Sequence, residues 1–403
     1  MTKTLLVLGA ARYQVECILT AKRLGYRVIT ADNRPSNPGH RLSDVSYNVD
    51  TTDVHGVLQL AKREKISGVI SPCTDVAVKT AAIVSHKSGL PGVPPSAAQI
   101  VTDKVSFRRF MLESQLPTPR FVVLGESDQL IPELFTGQGG ATKMVLKPQL
   151  SSGSKGVFIV GDRADLEKRL PESRAMGLSR TCLIEDYLEG PQGTCVGILE
   201  AGRIQLAVVL DRQVAHEPFT TTIGHRVPST LSEESQRQLI DLISDVWRRL
   251  GVTDTVFDCD FVWTNCGPFI LEITPRLGGN GIPLLIQLAS GIDLIEYSVR
   301  SACGDLQVSE AVDWGAVRIE PSAVVLLGVW NEGRLDYDES QVAELRTEPW
   351  VKSLSLDMPI GAPVGPFVNG RLRLGEALIR TADRRSLDER VQELIGRISI
   401  CAK

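Results

Sequence analysis

The chain has no Cys-x-x-Cys pair, no block of Lys or Arg, and no apolar run long enough to span a membrane. Each absence removes a class of protein. The eight cysteines (Cys17, Cys73, Cys182, Cys195, Cys259, Cys266, Cys303, Cys401) are scattered, with no histidine cluster beside them. That spacing supports neither a zinc site nor a disulfide framework, and reads as reduced thiols in a cytoplasmic enzyme. A net charge of −4 without a basic block argues against a nucleic-acid protein. No apolar run reaches membrane-spanning length, the stretch beginning at Leu284 being short and interrupted by polar residues, so no membrane association is expected. The first residues run straight from Met1 into a strand pattern, which is not the layout of a signal peptide. Repeats and low-complexity segments are also missing.

What remains is ordinary globular material. At 403 residues, 43% hydrophobic and 23% charged, the chain is long enough for two or three domains with real cores. Its first hundred residues alternate strand and helix patterns: strands at Thr4–Leu8, Arg27–Ala31 and 68–71, helices at 15–24 (closed by Gly25), at Val54–Glu64 (capped by Asp53) and from Asp75. Such alternation predicts a parallel sheet. Gly9-Ala-Ala-Arg-Tyr lacks the G-x-G-x-x-G spacing of a dinucleotide site, and Asp32 at the end of the second strand does not replace it. The breaker-rich 90–95 marks a first boundary. A helix carrying Lys104 follows, then short strands at 143–147, 157–160, 181–186, 195–199 and 204–210 with one helix near 162–170. A long amphipathic helix covers Glu233–Leu250, and helical patterns return at 283–290 and 293–302. The last ninety residues give strands at 316–320, 323–327 and 376–381 and a final helix from Leu387, capped by Ser386.

The run Phe257-Asp-Cys-Asp-Phe-Val-Trp-Thr-Asn-Cys-Gly-Pro-Phe-Ile-Leu-Glu-Ile-Thr-Pro-Arg276 reads as a β-hairpin with a loop of about three to five residues. Pivoting it on Cys266 pairs Trp263 with Phe269, Phe261 with Leu271, and Asp260 with Glu272, and puts both carboxylates and Thr274 on one face. Opposed carboxylates repel, so something positive belongs between them. A hard divalent cation is one answer; a protonated or Arg276-paired couple is the other. Lys147-Pro-Gln-Leu-Ser151-Ser152-Gly153-Ser154-Lys155-Gly156 places a lysine at a strand end before a Ser/Gly loop whose N–H groups can cradle an anion or simply turn the chain. It is not a P-loop, because G-x-x-x-x-G-K-[ST] is absent. Ile184-Glu185-Asp186-Tyr187-Leu188 ends another strand with acids.

In this order, Lys104, Lys147 with its loop, the acidic strand end and the Asp260…Glu272-Ile-Thr-Pro-Arg276 hairpin resemble the ATP-grasp superfamily, closest to carboxylate–amine ligases of the L-amino acid ligase and purine-pathway types. The resemblance implies three parts: an N-terminal α/β, Rossmann-like pre-ATP-grasp domain at 1–95, an ATP-grasp domain at 96–308 with a lid at about 118–190, and a small C-terminal α+β domain at 309–403. It implies ATP and Mg²⁺ (Mn²⁺ as a substitute), a small-molecule carboxylate and an amine as substrates, an acyl phosphate between them, and a homodimer. Lys104 and Lys147 would contact the α- and β-phosphates, and Ser152, Gly153, Ser154 and Gly156 would cover the β- and γ-phosphates. Glu185 would accept from the adenine amino group, the backbone at Tyr187 and Leu188 would read the ring edge, and Gln192, where the family often has Glu, would hold the ribose. Asp260, Glu272 and Thr274 would hold the metal, Thr274 standing where the family usually has Asn, and Arg276 would face the transferred phosphoryl group.

Gly224-His225-Arg-Val-Pro228 resembles a family stretch near the acceptor, where His225 orients the nucleophile or takes its proton; a structural loop histidine is the alternative. Arg212 and the turn Gly278-Gly279-Asn280 are candidates for a substrate carboxylate, the glycines being equally a plain turn. Asp75 lies at a strand end where such sheets bind ligands, but a helix N-cap is its preferred reading. Two other functions stay open: a carboxylase that phosphorylates bicarbonate, although no Met-Lys-Met biotinyl site is present, and a nucleotide-binding protein without turnover.

Overall fold

The computed structural model describes residues 2–126, 143–215, 220–306 and 317–403. The N-terminal part is a four-stranded parallel sheet in the order Val45–Tyr47, Arg27–Ala31, Thr4–Leu8, Gly68–Ile70. Thr4–Leu8 is buried throughout, as an unbroken Leu-Leu-Val-Leu run requires of a strand covered on both faces. Asp53 caps Val54–Glu64 by accepting from the Gly56 N–H at 3.0 Å. Asp32 accepts from Ala10 N (2.9 Å), Arg34 N (2.8 Å) and Asn37 Nδ2 (2.9 Å), so it fixes the loop behind its own strand.

A second sheet is antiparallel, ordered Phe121–Leu124, Cys182–Asp186, Met144–Pro148, Phe158–Val160, and carries the helix Arg163–Met176. Phe121–Leu124 is a strand that the sequence pattern missed, being four residues long beside Pro117 and Pro119. The largest sheet has eight strands: Gly267–Thr274, Thr255–Thr264, Gln192–Glu200, Arg203–Val214, Thr222–Val227, Ser322–Leu327, Gly375–Arg380 and Val351–Leu356, in that order. Glu233–Leu250 packs its Leu239, Ile243, Val246, Trp247 and Leu250 stripe on Phe257, Cys259, Phe261, Ile270 and Ile273. Each fully buried side chain such as Ile243 or Phe257 contributes about 2 kcal/mol of transfer free energy. Ser232 caps this helix and Gly251, at φ +67°, ends it.

Four expectations are corrected here. The helix expected from Asp75 begins at Val78, with Ala77 as an N-cap that uses no side chain. Residues 317–320 are not a strand, and Ala316 lies outside the described residues. Thr222–Val227, where the alternative reading put a loop histidine, is an inner strand between Arg203–Val214 and Ser322–Leu327. The last helix is Arg384–Ile398, capped by Asp383, whose carboxylate accepts from the Ser386 N–H. Among the described residues no single helix is long and apolar enough to cross a membrane.

Candidate functional site

Asp260 and Glu272 do face each other across the hairpin, but the expected pairing fails beyond them. A β-bulge follows, so Phe261 pairs with Ile270, Val262 with Phe269 and Trp263 with Pro268, and only Asn265 and Cys266 form the loop. The extra residue is Leu271. It puts Ile270 and Ile273, three apart, in the core, where strict alternation had put Phe269 and Leu271. The physical cause lies outside the hairpin. Arg108, on the helix Lys104–Glu113, donates to the Ile270 and Leu271 carbonyls, each at 3.0 Å, and so satisfies backbone that the bulge takes out of the ladder.

Asp258, two residues before Asp260 and opposite Thr274, joins the same face. Sequence reasoning passed over it, although period-two spacing from Asp260 was a usable signal. Arg276 donates to Asp258 Oδ2 (2.7 Å) and, through Nε (2.8 Å) and Nη2 (2.5 Å), to Asp75 Oδ1. Asp75 is thus an ion-pair partner of the hairpin rather than a helix cap. Burial, then Asp260 and Asp75, push the Asp258 carboxyl up to about 7 against the pull of Arg276. Glu272, with 38% of its side chain exposed, is also raised, by desolvation first and by Asp75 and Asp260, with Lys104 opposing at 3.8 Å. Thr274 is buried, and its hydroxyl donates to the Asp258 carbonyl at 3.5 Å. Asp75, Lys104, Ser151, Glu272 and Thr274 line one small cleft.

On the cleft's other wall, Lys104 donates to the Ser151 carbonyl (2.8 Å) and roots the Ser/Gly loop. Ser154 and Gly156 take φ of +59° and +71°, and the Ser154 hydroxyl donates to Thr220 O at 3.3 Å. Lys147 and Arg108 converge on Glu185, whose side chain is 2% exposed, as is that of Arg108; Arg108 Nε lies 2.8 Å from Glu185 Oε2. Those two cations overcome burial and hold the Glu185 carboxyl down at about 2. Burial moves Lys147 the other way, lowering its proton affinity despite Glu185. A carboxylate with both oxygens engaged is not open to an adenine amino group, so Glu185 instead orients Lys147. Arg108 was missed, though it stands one helical turn from Lys104. Tyr187 donates its N–H to Lys143 O (3.2 Å), and Gln192 opens the strand that pairs with Val262.

Asp260 is held from the sheet: Thr194 Oγ1 donates to it at 2.6 Å and Arg212 Nη1 lies at 3.1 Å. His225 Nε2 lies 3.2 Å from that same Thr194 hydroxyl, while its Nδ1 is buried without a partner. Burial pushes the imidazole down to about 4, so it is neutral at pH 7. The unfolded chain, with a histidine near 6.5, takes up this proton first. Stability is therefore complete above pH 6.5 and falls as pH drops toward 4, by up to about 3 kcal/mol. Urea unfolding at pH 7 and 4.5 should show a smaller acid loss in His225→Asn than in the wild type; equal losses would place the titration elsewhere. On the far side of the cleft, burial raises Tyr13 to about 12, and its hydroxyl donates to Asn280 Oδ1 at 3.2 Å. Gly279 approaches Cys73 O beside this turn.

Residues 101–280, which hold both lysines, the loop and the whole hairpin, match the ATP-grasp domain family. The chain carries an ATP-grasp domain. The formate-dependent phosphoribosylglycinamide formyltransferase of Photobacterium profundum is 23% identical to it, over 94% of this chain and 92% of that protein. Carnosine synthase 1 of Mus musculus is 26% identical over 75% of this chain, which spans only 40% of that longer protein. The crystal structure of L-amino acid ligase from Bacillus licheniformis superposes with a TM-score of 0.82 at 18% identity, covering 99% of this chain and 98% of that one. At that identity the likeness shows the fold. Within that domain Lys104, Ser151 and Glu272 line the one cleft, Asp260 faces Glu272 across the hairpin, and Arg212 and, through Thr194, His225 stand behind Asp260.

The residues present fit a divalent cation. Asp75, Asp258, Asp260 and Glu272 gather beside Lys104, Arg212 and Arg276, and burial first, then the neighbouring acids, raises the carboxyls of Asp258 and Glu272. No three of His, Cys, Asp and Glu form a metal cage among the described residues. Mg²⁺ is bound in nucleotide sites by one or two carboxylates together with phosphates, and it needs no such cage.

Proposed function

We propose that this protein is an ATP-dependent, ADP-forming carboxylate–amine ligase acting on small molecules. The observation that carries the reading is the opposed Asp260–Glu272 pair, with phosphate-binding lysines on one side and Arg276 on the other. Lys104 and Lys147 bind the phosphates of ATP, and the 151–156 loop lies over them. Glu185 and Arg108 orient Lys147. Asp260 and Glu272 would hold Mg²⁺, which supplies charge neutralisation at the phosphates. Arg276, fixed by Asp75 and Asp258, stabilises the phosphoryl group as it passes to the substrate carboxylate. The resulting acyl phosphate has a good leaving group; the amine attacks its carbonyl carbon, phosphate departs with the bonding pair, and the amine loses a proton. His225, buried and neutral, acts on the site through the Thr194 hydroxyl that also holds Asp260. The relatives' names support the reading, since a formyltransferase, carnosine synthase and L-amino acid ligase all join an acyl group to an amine.

The test is an ADP-release screen over acids and amines with mass detection of the product. ADP formed only when both are present is expected. AMP with pyrophosphate would overturn the reading, and ATP hydrolysis stimulated by bicarbonate alone would mark a carboxylase. Within this assay, Lys147→Ala should raise the KM for ATP about tenfold or more, because a charge-assisted phosphate contact is lost. An unchanged KM would remove Lys147 from the nucleotide site.

A further inference from the structure

The hairpin that carries Asp260 and Glu272 holds two registers, and the carboxylates meet only because one gives way to the other. At its tip Asn265 and Cys266 form a two-residue loop. The Thr264 hydroxyl pins that loop, accepting from Cys266 N at 3.1 Å and donating to Gly267 O at 3.0 Å. Loop length fixes the register of a hairpin. Continued from the tip, the Phe261–Ile270 pair would run on to Asp260 opposite Leu271 and Cys259 opposite Glu272. Opposed residues share a face, so Leu271 would then stand in the cleft. Glu272 would turn into the core beside the fully buried Cys259. The bulge prevents this. With Leu271 as the extra residue the register moves by one, and Glu272 emerges opposite Asp260.

A bulge takes carbonyls out of the ladder, and buried carbonyls need donors. Arg108 supplies them: Nη1 donates to Ile270 O and Nη2 to Leu271 O, each at 3.0 Å, while Nε holds Glu185 at 2.8 Å. Its side chain is buried. The helix that carries it, Lys104–Glu113, is itself fixed at its start. There Asp103 accepts from Ser106 N at 2.9 Å and from Gln149 Nε2 at 2.7 Å. One turn before Arg108, Lys104 stands 3.8 Å from the Glu272 carboxylate. A single helix thus grips the hairpin at its bulge and at its acid.

Resting on the ligase reading, in which Glu272 holds Mg²⁺, we infer that Arg108 is a positioning residue for the metal site: by holding the bulge at Leu271 it sets the register that turns Glu272 toward Asp260. The guanidinium can do this because its planar fork reaches two carbonyls and a carboxylate together. A lysine in its place keeps a charge beside Glu185 but cannot span all three.

The probe is Mn²⁺, titrated into the ADP-loaded protein and read from the electron paramagnetic resonance of the free ion. Arg108→Lys should weaken Mn²⁺ by about tenfold or more, as loss of a group supporting a metal ligand does, and by more than it weakens ADP without metal. A rescue separates positioning from general support of the fold. Deleting Leu271 removes the extra residue, so the Phe261–Ile270 pair runs on directly to Asp260 opposite Glu272 and no bulge has to be held. Arg108→Lys with Leu271 deleted should therefore fold and bind Mn²⁺ to within about threefold of the wild type. This double variant carries the test if Arg108→Lys alone does not fold. Unchanged Mn²⁺ affinity in Arg108→Lys, or a loss no larger than that for ADP, overturns the inference. A double variant that is unfolded, or as weak as Arg108→Lys, also overturns it. Glu272→Gln in the same titration tells this failure from failure of the ligase's metal site. It weakens Mn²⁺ if the inference alone is wrong; wild-type affinity in Glu272→Gln overturns both.

Discussion

Glu272→Gln is expected to leave a folded protein whose ADP release falls roughly a hundredfold or more. Groups that merely support metal ligands cost ten- to a hundredfold when removed, so a ligand itself belongs at or beyond the upper end. Stability should hold within about 0.5 kcal/mol, because the side chain is 38% exposed and the cation paired with it, Lys104, stands 3.8 Å away. Glutamine keeps the shape and removes a carboxylate already crowded by Asp75 and Asp260. The Mg²⁺ concentration needed for half-maximal rate should rise at least tenfold. Wild-type rates at an unchanged Mg²⁺ requirement would mean that the hairpin does not hold the metal.

The second large effect is expected at Arg276. Arg276→Ala leaves the partly buried Asp75 and Asp258 without their shared partner, which should cost about 3 kcal/mol in denaturant unfolding, the low end for a broken buried pair. Turnover should fall about a hundred- to a thousandfold, as when a transition-state donor is removed. The two losses are separated by Arg276→Lys. An ammonium restores a positive charge between the acids, so most of the stability returns, but it cannot reach both carboxylates and the phosphoryl group in one plane. Its rate should remain at least tenfold low. Full activity in the lysine variant would show that only the charge matters.

Local pattern carried much of this molecule. Thr4–Leu8, Arg27–Ala31 and Glu233–Leu250 were legible to the residue, because their periodicity and caps are written in neighbouring positions. The Asp260–Glu272 opposition was legible for the same reason. What failed depended on partners far along the chain. The bulge at Leu271 is stabilised by Arg108, 163 positions away, and the pairing on its turn side shifted with it. Asp75 resembled an N-cap until Arg276, 201 positions on, was seen to take it. Glu185 reads from sequence as an acceptor for the adenine amino group, and nothing local shows that Lys147 and Arg108 both converge on it. Thr222–Val227 looked like a loop because its polar residues are buried by strands on both sides rather than exposed to water.

The continuity of the eight-stranded sheet limits how the protein can be dissected. A fragment ending at 306 would keep the lysines, the loop and the hairpin, yet it would strip Ser322–Leu327 from its neighbour and leave Thr222–Val227 as a raw edge. The unpaired backbone would then lie in the strand that carries His225, inviting self-association at the catalytic wall. A minimal catalytic unit cannot be trimmed from the C-terminus, nor from the first sheet's side past Asp75, the partner of Arg276.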